Sequence, residues 1–239
     1  MIRIGTAGWT IPRSSAEAFP PEGAGLARYA ARLNAAEINS SFYRSHREAT
    51  WRGWAERTPA GFRFAVKVPK AITHEAKLQG CEALLQAFLA EARLLGDRLG
   101  PLLVQLPPSL AFDPAAAEAF LAAFRALAPE PIACEPRHPS WFEADADALL
   151  SAHRIARAAA DPPRHALAAK PGGWPGLVYC RLHGSPRMYW SAYEDEALER
   201  LAALLRADGP EERWCIFDNT GSGAAAADAL RLKALLGAP

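Results

Sequence analysis

The chain has 239 residues, half of them apolar and 22% charged, and its 27 basic and 26 acidic side chains leave a net charge of +1. That balance excludes a general polycationic surface for nucleic acid and suits a globular protein with a large core. Cysteines at 81, 134, 180 and 215 show no CxxC or CxxH spacing, which argues against a disulfide framework or a structural zinc module.

Taken in chain order, short apolar runs alternate with helical patterns. Strands are expected at 2–5, 35–39, 62–68, 102–106, 132–135, 155–160, 177–182 and 214–217. Helices are expected at 25–33, 49–57, 82–95, 114–128, 145–153, 194–207 and 224–236. Asp113-Pro114 supplies an N-cap acid and a first-turn proline, and Pro129 closes the same helix. Gly96 and Gly100 read as punctuation at the exit from the third helix. Between 161 and 176 the chain reads DPPRHALAAKPGGWPG, too rich in Pro and Gly for a full helix. A loop, or a turn or two of helix over 164–170, is expected there.

With a strand expected from Ile2 onward, no signal peptide is expected. No apolar run is long enough to span a bilayer. The expectation is a cytoplasmic protein with buried free thiols and no membrane partner, its oligomeric state left open.

Strands alternating with helices predict a parallel sheet with right-handed crossovers. Count and length fit one α/β domain over 1–239, a single (β/α)8 TIM-type barrel with a helix-poor crossover between strands 6 and 7. An open doubly wound sheet is the alternative. It is disfavoured because no Gly-rich phosphate-binding turn follows any strand.

Side chains alternate across a strand, so parity sorts them into two faces. Phe62, Phe64, Val66 and Val68 share a helix-facing side, which turns Lys67 toward the barrel axis. The same sorting turns Glu37, Asn39, Gln105, Glu135, Tyr179, Arg181 and His183 inward, and Asp161, Asp218 and Asn219 stand at strand ends. In such barrels the active site lies at the C-terminal ends of the strands. Loops at that end are basic and aromatic, with Tyr43, Arg137, His138, Trp141, Arg187 and Tyr189 among them. Arg suits anionic groups, and aromatic faces suit sugar rings or bases.

Purely structural roles compete with each of these. The inward charges can form a closed ion-pair network that only fills the axis. Arg137-His138 can be a capped turn with Trp141 as a plug, and Trp51 and Trp54 read as core.

The segments GTAGW (5–9), AEINSSFYR (36–44), FRFAVKVPKAITHE (62–75), GPLLVQLPPS (100–109), EPRHPSW (135–141), RLHGSPRMY (181–189) and FDNTGSG (217–223) occur in that order. Together they resemble the domain of unknown function 72 family, also called YecE-like, across nearly the whole chain. The resemblance implies a TIM barrel and carries over no reaction, cofactor or catalytic residue.

From the residues themselves, the first functional expectation is acid–base chemistry on a small anionic, phosphorylated or sugar-like ligand, without a cofactor or metal. Glu37 and Glu135 would serve as acid and base and His183 as a second proton carrier. Lys67 would hold negative charge with Arg137 and Arg181, or form a Schiff base. Asn39, Tyr43, Gln105, His138, Trp141, Arg187, Tyr189, Asp218 and Asn219 would contact substrate. One alternative is a metal-dependent phosphoesterase built on Glu37, Glu135, His183 and Asp218, resembling TIM-barrel apurinic endonucleases. The other is a non-catalytic nucleotide or nucleic-acid binding module, which the near-zero charge disfavours.

Overall fold

The computed structural model describes residues 1–237. Its strands are β1 (Ile2–Thr6), β2 (Ala35–Ile38), β3 (Arg63–Lys67), β4 (Leu99–Gln105), β5 (Ile132–Glu135), β6 (Ile155–Arg157), β7 (Ala159–Asp161), β8 (Gly172–Gly173), β9 (Val178–Leu182) and β10 (Arg213–Phe217). Its α-helices are α1 (Gly25–Ala30), α2 (Glu48–Glu56), α3 (Glu82–Ala92), α4 (Pro114–Leu127), α5 (Ala144–Ala152), α6 (Asp195–Arg206) and α7 (Ala224–Leu236).

Local chemistry accounts for much of this. Asp113 caps α4 by accepting from the amides of Ala115 at 3.0 Å and Ala116 at 3.1 Å, satisfying donors that the first turn leaves open. In α6 the buried residues are Leu198, Leu201, Ala202 and Leu205, the three-and-four spacing of a helix with one apolar stripe. One expectation is corrected. Gly100 lies inside β4, not at a helix exit, and the close approach of the Trp214 ring, 2.6 Å from where a Cβ would stand, explains why it is glycine.

The strands form two sheets, one ordered β1-β10-β9-β7 and the other β2-β3-β4-β5-β6-β8. Pairing is parallel except at the short β6–β8 contact. The fold is thus mixed α/β with parallel sheets, and the ladder is not one continuous ring as the sequence led us to expect. Two seams interrupt it. At the first, the chain changes partner at Ala158: β6 pairs with β5, β7 pairs with β9, and the Ala158 amide reaches Cys134 O at 2.8 Å. At the second, β1 and β2 meet through the bridge of Ala7 with Glu37, beside a 2.8 Å bond from the Gly8 amide to Glu37 O. Glycine is required at this seam: a Cβ on Gly5 would lie 2.1 Å from Ala35 O. The 162–176 crossover carries a 3-10 turn at Ala166–Ala169 and the strand β8 in place of a helix.

The main apolar layer lies between strands and helices and includes Trp51, Phe62, Phe64, Val66, Val68 and Phe124. A second cluster is held inside, where Ala35, Ala65, Leu103 and Ala133 of one sheet meet Tyr179, Trp214 and Ile216 of the other. Two residues further along the same strands, on the same face, stand Glu37, Lys67, Gln105, Glu135 and Arg181, all buried. An apolar floor therefore carries a polar layer. Charges in that layer are far from water and interact strongly.

Candidate functional site

Arg181 is the centre of the polar layer. From the second inward position of β9 its Nε donates to Glu37 Oε2 at 3.0 Å and its Nη2 to Glu37 Oε1 at 2.8 Å. Its Nη1 reaches Glu135 Oε2 at 3.1 Å, and Nη2 also lies 3.0 Å from Asp218 Oδ2. The planar fork of a guanidinium suits such multiple carboxylate contacts. Tyr179 adds a 2.9 Å hydrogen bond to Glu37 Oε2. His183 bridges the remaining carboxylates, with Nδ1 at 3.0 Å from Asp218 Oδ2 and Nε2 at 3.0 Å from Glu135 Oε1. Arg137 Nε donates to Glu135 Oε1 at 3.1 Å.

These pairings set the charge states. Burial alone would raise the Glu135 carboxyl, but His183 and Arg181 outweigh it and hold Glu135 well below the usual carboxylate range. Asp218 likewise stays low, because Arg181 and His183 overcome its burial. Burial disfavours the His183 imidazolium, yet Glu135 and Asp218 prevail and raise it above the ordinary histidine value.

Lys67 differs from all of these. Only 6% exposed, it makes no ion pair among the described residues, and its Nζ sits 4.1 Å from the centroid of the Phe42 ring. Burial, reinforced by Arg181, lowers its ammonium from 10.5 to about 8, against the pull of Glu37, Glu135 and Asp218. Its own backbone is fixed by Ser41, whose Oγ donates to Lys67 O at 2.7 Å.

The segment after β9 covers the cluster. Tyr189, held at φ 64, donates its amide to His183 O, and its hydroxyl lies 3.3 Å from Arg137 Nη1 and Nη2. Its ring meets His183 edge-on at 5.4 Å. A crevice beside Glu135, Arg137, His183 and Met188 offers about 10 Å³, room for one water. Larger cavities lie elsewhere, including one of about 420 Å³ lined by Phe42, Tyr43 and Phe88.

The fold thus brings together Glu37, Lys67, Glu135, Arg137, Arg181, His183, Tyr189 and Asp218, drawn from separate strand ends. Gln105 lies in the same layer, its Nε2 turned to Leu106 O at 2.8 Å. Asn39 follows β2, and its Oδ1 is buried without a hydrogen-bond partner among the described residues. Asn219 supports the cover from beneath, donating to Ser191 O at 2.9 Å and Asp228 Oδ2 at 2.8 Å.

Four expected contacts fall away from the cluster. Trp141 is buried in the helix-side core, with Nε1 on Leu110 O at 3.0 Å and its ring against Phe112. It thus packs in the core, as the plug reading of this turn has it, and not against the polar cluster. His138 caps the turn that follows it, accepting from the Ser140 amide at 3.2 Å. Tyr43 is 67% exposed and lines the outer cavity. Arg187 is exposed and stacks over Trp190 at 4.6 Å. Parity had turned Tyr179 inward without marking it as a partner of Glu37. Phe42 was legible only as one aromatic of the loop after the second strand, not as the partner of Lys67, and Asp228, on a helix, carried no signal.

A metal fits these residues poorly. Among the described residues no group of three or more His, Cys, Asp or Glu side chains is arranged to hold one. The carboxylates that would ligate it instead face Arg181. No described helix is long and apolar enough to cross a membrane.

Comparison with known proteins gives the family. UPF0759 protein YecE of Escherichia coli strain K12 is 32% identical over 143 residues, 59% of this chain and 50% of its own length, and its O157:H7 counterpart matches equally. The matched stretch therefore spans about half the length of these curated relatives. A DUF72 family protein from Thermotoga maritima MSB8 superposes with TM-score 0.81 at 25% identity, covering 99% of each chain. One from Enterococcus faecalis V583 gives TM-score 0.82 at 22% identity, over 100% of this chain and 96% of its own. The family model described as "Protein of unknown function DUF72" matches residues 3–239, and the chain belongs to that family.

Proposed function

We propose that the two sheets make one closed (β/α)8 TIM-type barrel, and that the chain is an enzyme acting on a small anionic, phosphorylated or sugar-like metabolite at the strand C-terminal ends. Closure is supported by the hydrogen bonds across both seams and by an interior cluster drawn from both sheets. The observation that carries the function is Lys67, a buried amine beside three carboxylates yet bonded to none of them.

With its ammonium lowered to about 8, Lys67 is a free amine in about a tenth of molecules at pH 7. Such an amine can take a proton from carbon or attack a carbonyl. In this reading Lys67 is the catalytic residue. Glu37, Glu135 and His183 are positioning residues, because every polar side-chain atom they carry is engaged by another member of the cluster. Arg137, 14% exposed at its side chain, is the anion anchor nearest to solvent.

The test is trapping. Where a substrate offers a carbonyl, the Lys67 amine adds to its carbon, water leaves, and borohydride reduces the resulting iminium to a stable secondary amine. Phosphorylated and acidic carbonyl metabolites are incubated with the protein and borohydride, and the adduct is mapped by mass spectrometry. Modification at Lys67, abolished in Lys67→Met and weakened in Arg137→Gln, is expected. Equal trapping in Lys67→Met would overturn the assignment.

A further inference from the structure

The cavity of about 420 Å³ outside the polar layer belongs to none of the chemistry above. Its volume falls in the range of small-molecule sites, about 300–1,000 Å³. Its walls are apolar: Phe42, Trp51, Ile72, Leu84, Ala87 and Phe88. Tyr43 and Leu84, also in its lining, are among the large apolar side chains left exposed, at 67% and 42%. The π-helical turn Ala71–Glu75 contributes to one side, a backbone form that recurs at functional sites.

The charges in the lining decide what such a cavity would accept. Glu91 is already engaged, accepting from the Ser45 hydroxyl, from the His46 amide at 3.2 Å and from Trp51 Nε1 at 3.3 Å. Lys70 pairs with Glu75 at 3.0 Å. Arg44 makes no side-chain hydrogen bond or ion pair among the described residues, so the uncommitted charge is a cation.

We infer that this cavity is a second ligand site, taking an anion with an aryl or branched-alkyl body whose charged end meets Arg44. The site is separate from the proposed catalytic amine. Phe42 stands between the two, lining the cavity while carrying Lys67 Nζ over its ring.

The test uses the aryl sulfonate 8-anilinonaphthalene-1-sulfonate and its uncharged analogue N-phenyl-1-naphthylamine, both read by fluorescence on the folded chain. Arg44→Gln should weaken the sulfonate roughly three- to tenfold and leave the uncharged analogue unchanged. Ala87→Trp, which fills the cavity, should abolish binding of both. Leu84→Arg at the exposed rim provides a second blocking variant should Ala87→Trp fail to fold, as judged by its melting curve. Lys67→Met should bind both probes as wild type does. Absence of sulfonate binding, insensitivity to both blocking variants, or equal loss of both probes in Arg44→Gln would overturn the site. Loss in Lys67→Met alone would move the binding to the polar layer and overturn it equally, whatever the outcome of borohydride trapping.

Discussion

Replacing Lys67 by Met should make the protein more stable at neutral pH. Bringing the ammonium from 10.5 down to about 8 corresponds to a penalty on the charged form of about 3 kcal/mol, at about 1.4 kcal/mol per tenfold. The Phe42 face returns about 1 kcal/mol through its cation–π contact. The net expectation is a gain of about 2 kcal/mol for Lys67→Met at pH 7. The sign follows from linkage. Below pH 8 the amine is protonated in both folded and unfolded chains, and the folded chain bears the whole penalty. Between about 8 and 10.5 the folded chain releases the proton while the unfolded chain keeps it, so wild-type stability rises with pH. The advantage of the variant should therefore shrink across that window. Urea denaturation of both proteins at pH 7, 8, 9 and 10 measures it. A variant less stable than wild type at pH 7, or a gap that does not change with pH, would refute the account of Lys67.

Arg181→Met should cost about 3–5 kcal/mol, since Glu37, Glu135 and Asp218 lose the cation they share. A loss below about 1 kcal/mol in chemical denaturation would contradict the network. For His183, raised above its ordinary value, the stabilising contribution is complete below about pH 6.5 and is lost as pH rises through the higher folded value. Imidazole NMR shifts should titrate above 6.5, and a midpoint below that would reverse the sign argued for it. Asp218→Asn should raise the pH of acid unfolding, because the depressed carboxylate contributes above its unfolded value and loses that contribution as pH falls. Gly5→Ala sets a Cβ 2.1 Å from Ala35 O and should cost more than about 3 kcal/mol by opening the β1–β2 seam. An unchanged melting temperature would show that the seam yields more easily than its geometry implies.

Parity along the strands was enough to separate Phe62, Phe64, Val66 and Val68 from Lys67, and Cys134 from Glu135, because the two-residue period is a property of extended backbone. Asp113 was legible as a cap for a similar reason: its side chain serves amides two and three residues away. Nearness of His138 and Trp141 to Glu135 in sequence says nothing of where their side chains turn. Each is spent locally, one on the Ser140 amide and the other on Phe112 and Leu110 O. Residue types in the lining of the outer cavity were visible, but not that α2, α3 and the turn after β3 leave a space between them.

By itself the chain order of apolar runs, caps and turn residues determined the alternation of strand and helix and the inward face of five strands. These are local matters of period and hydrogen-bond supply. Only the tertiary structure decided that Arg181 would take up three carboxylates while Lys67 took up none, and that Ala158 and Gly5 would mark seams between two sheets. Such pairings join residues far apart in the chain, Arg181 and Glu37 by 144 positions, and their energies depend on distance and exclusion of water, quantities that exist only once the strands stand side by side.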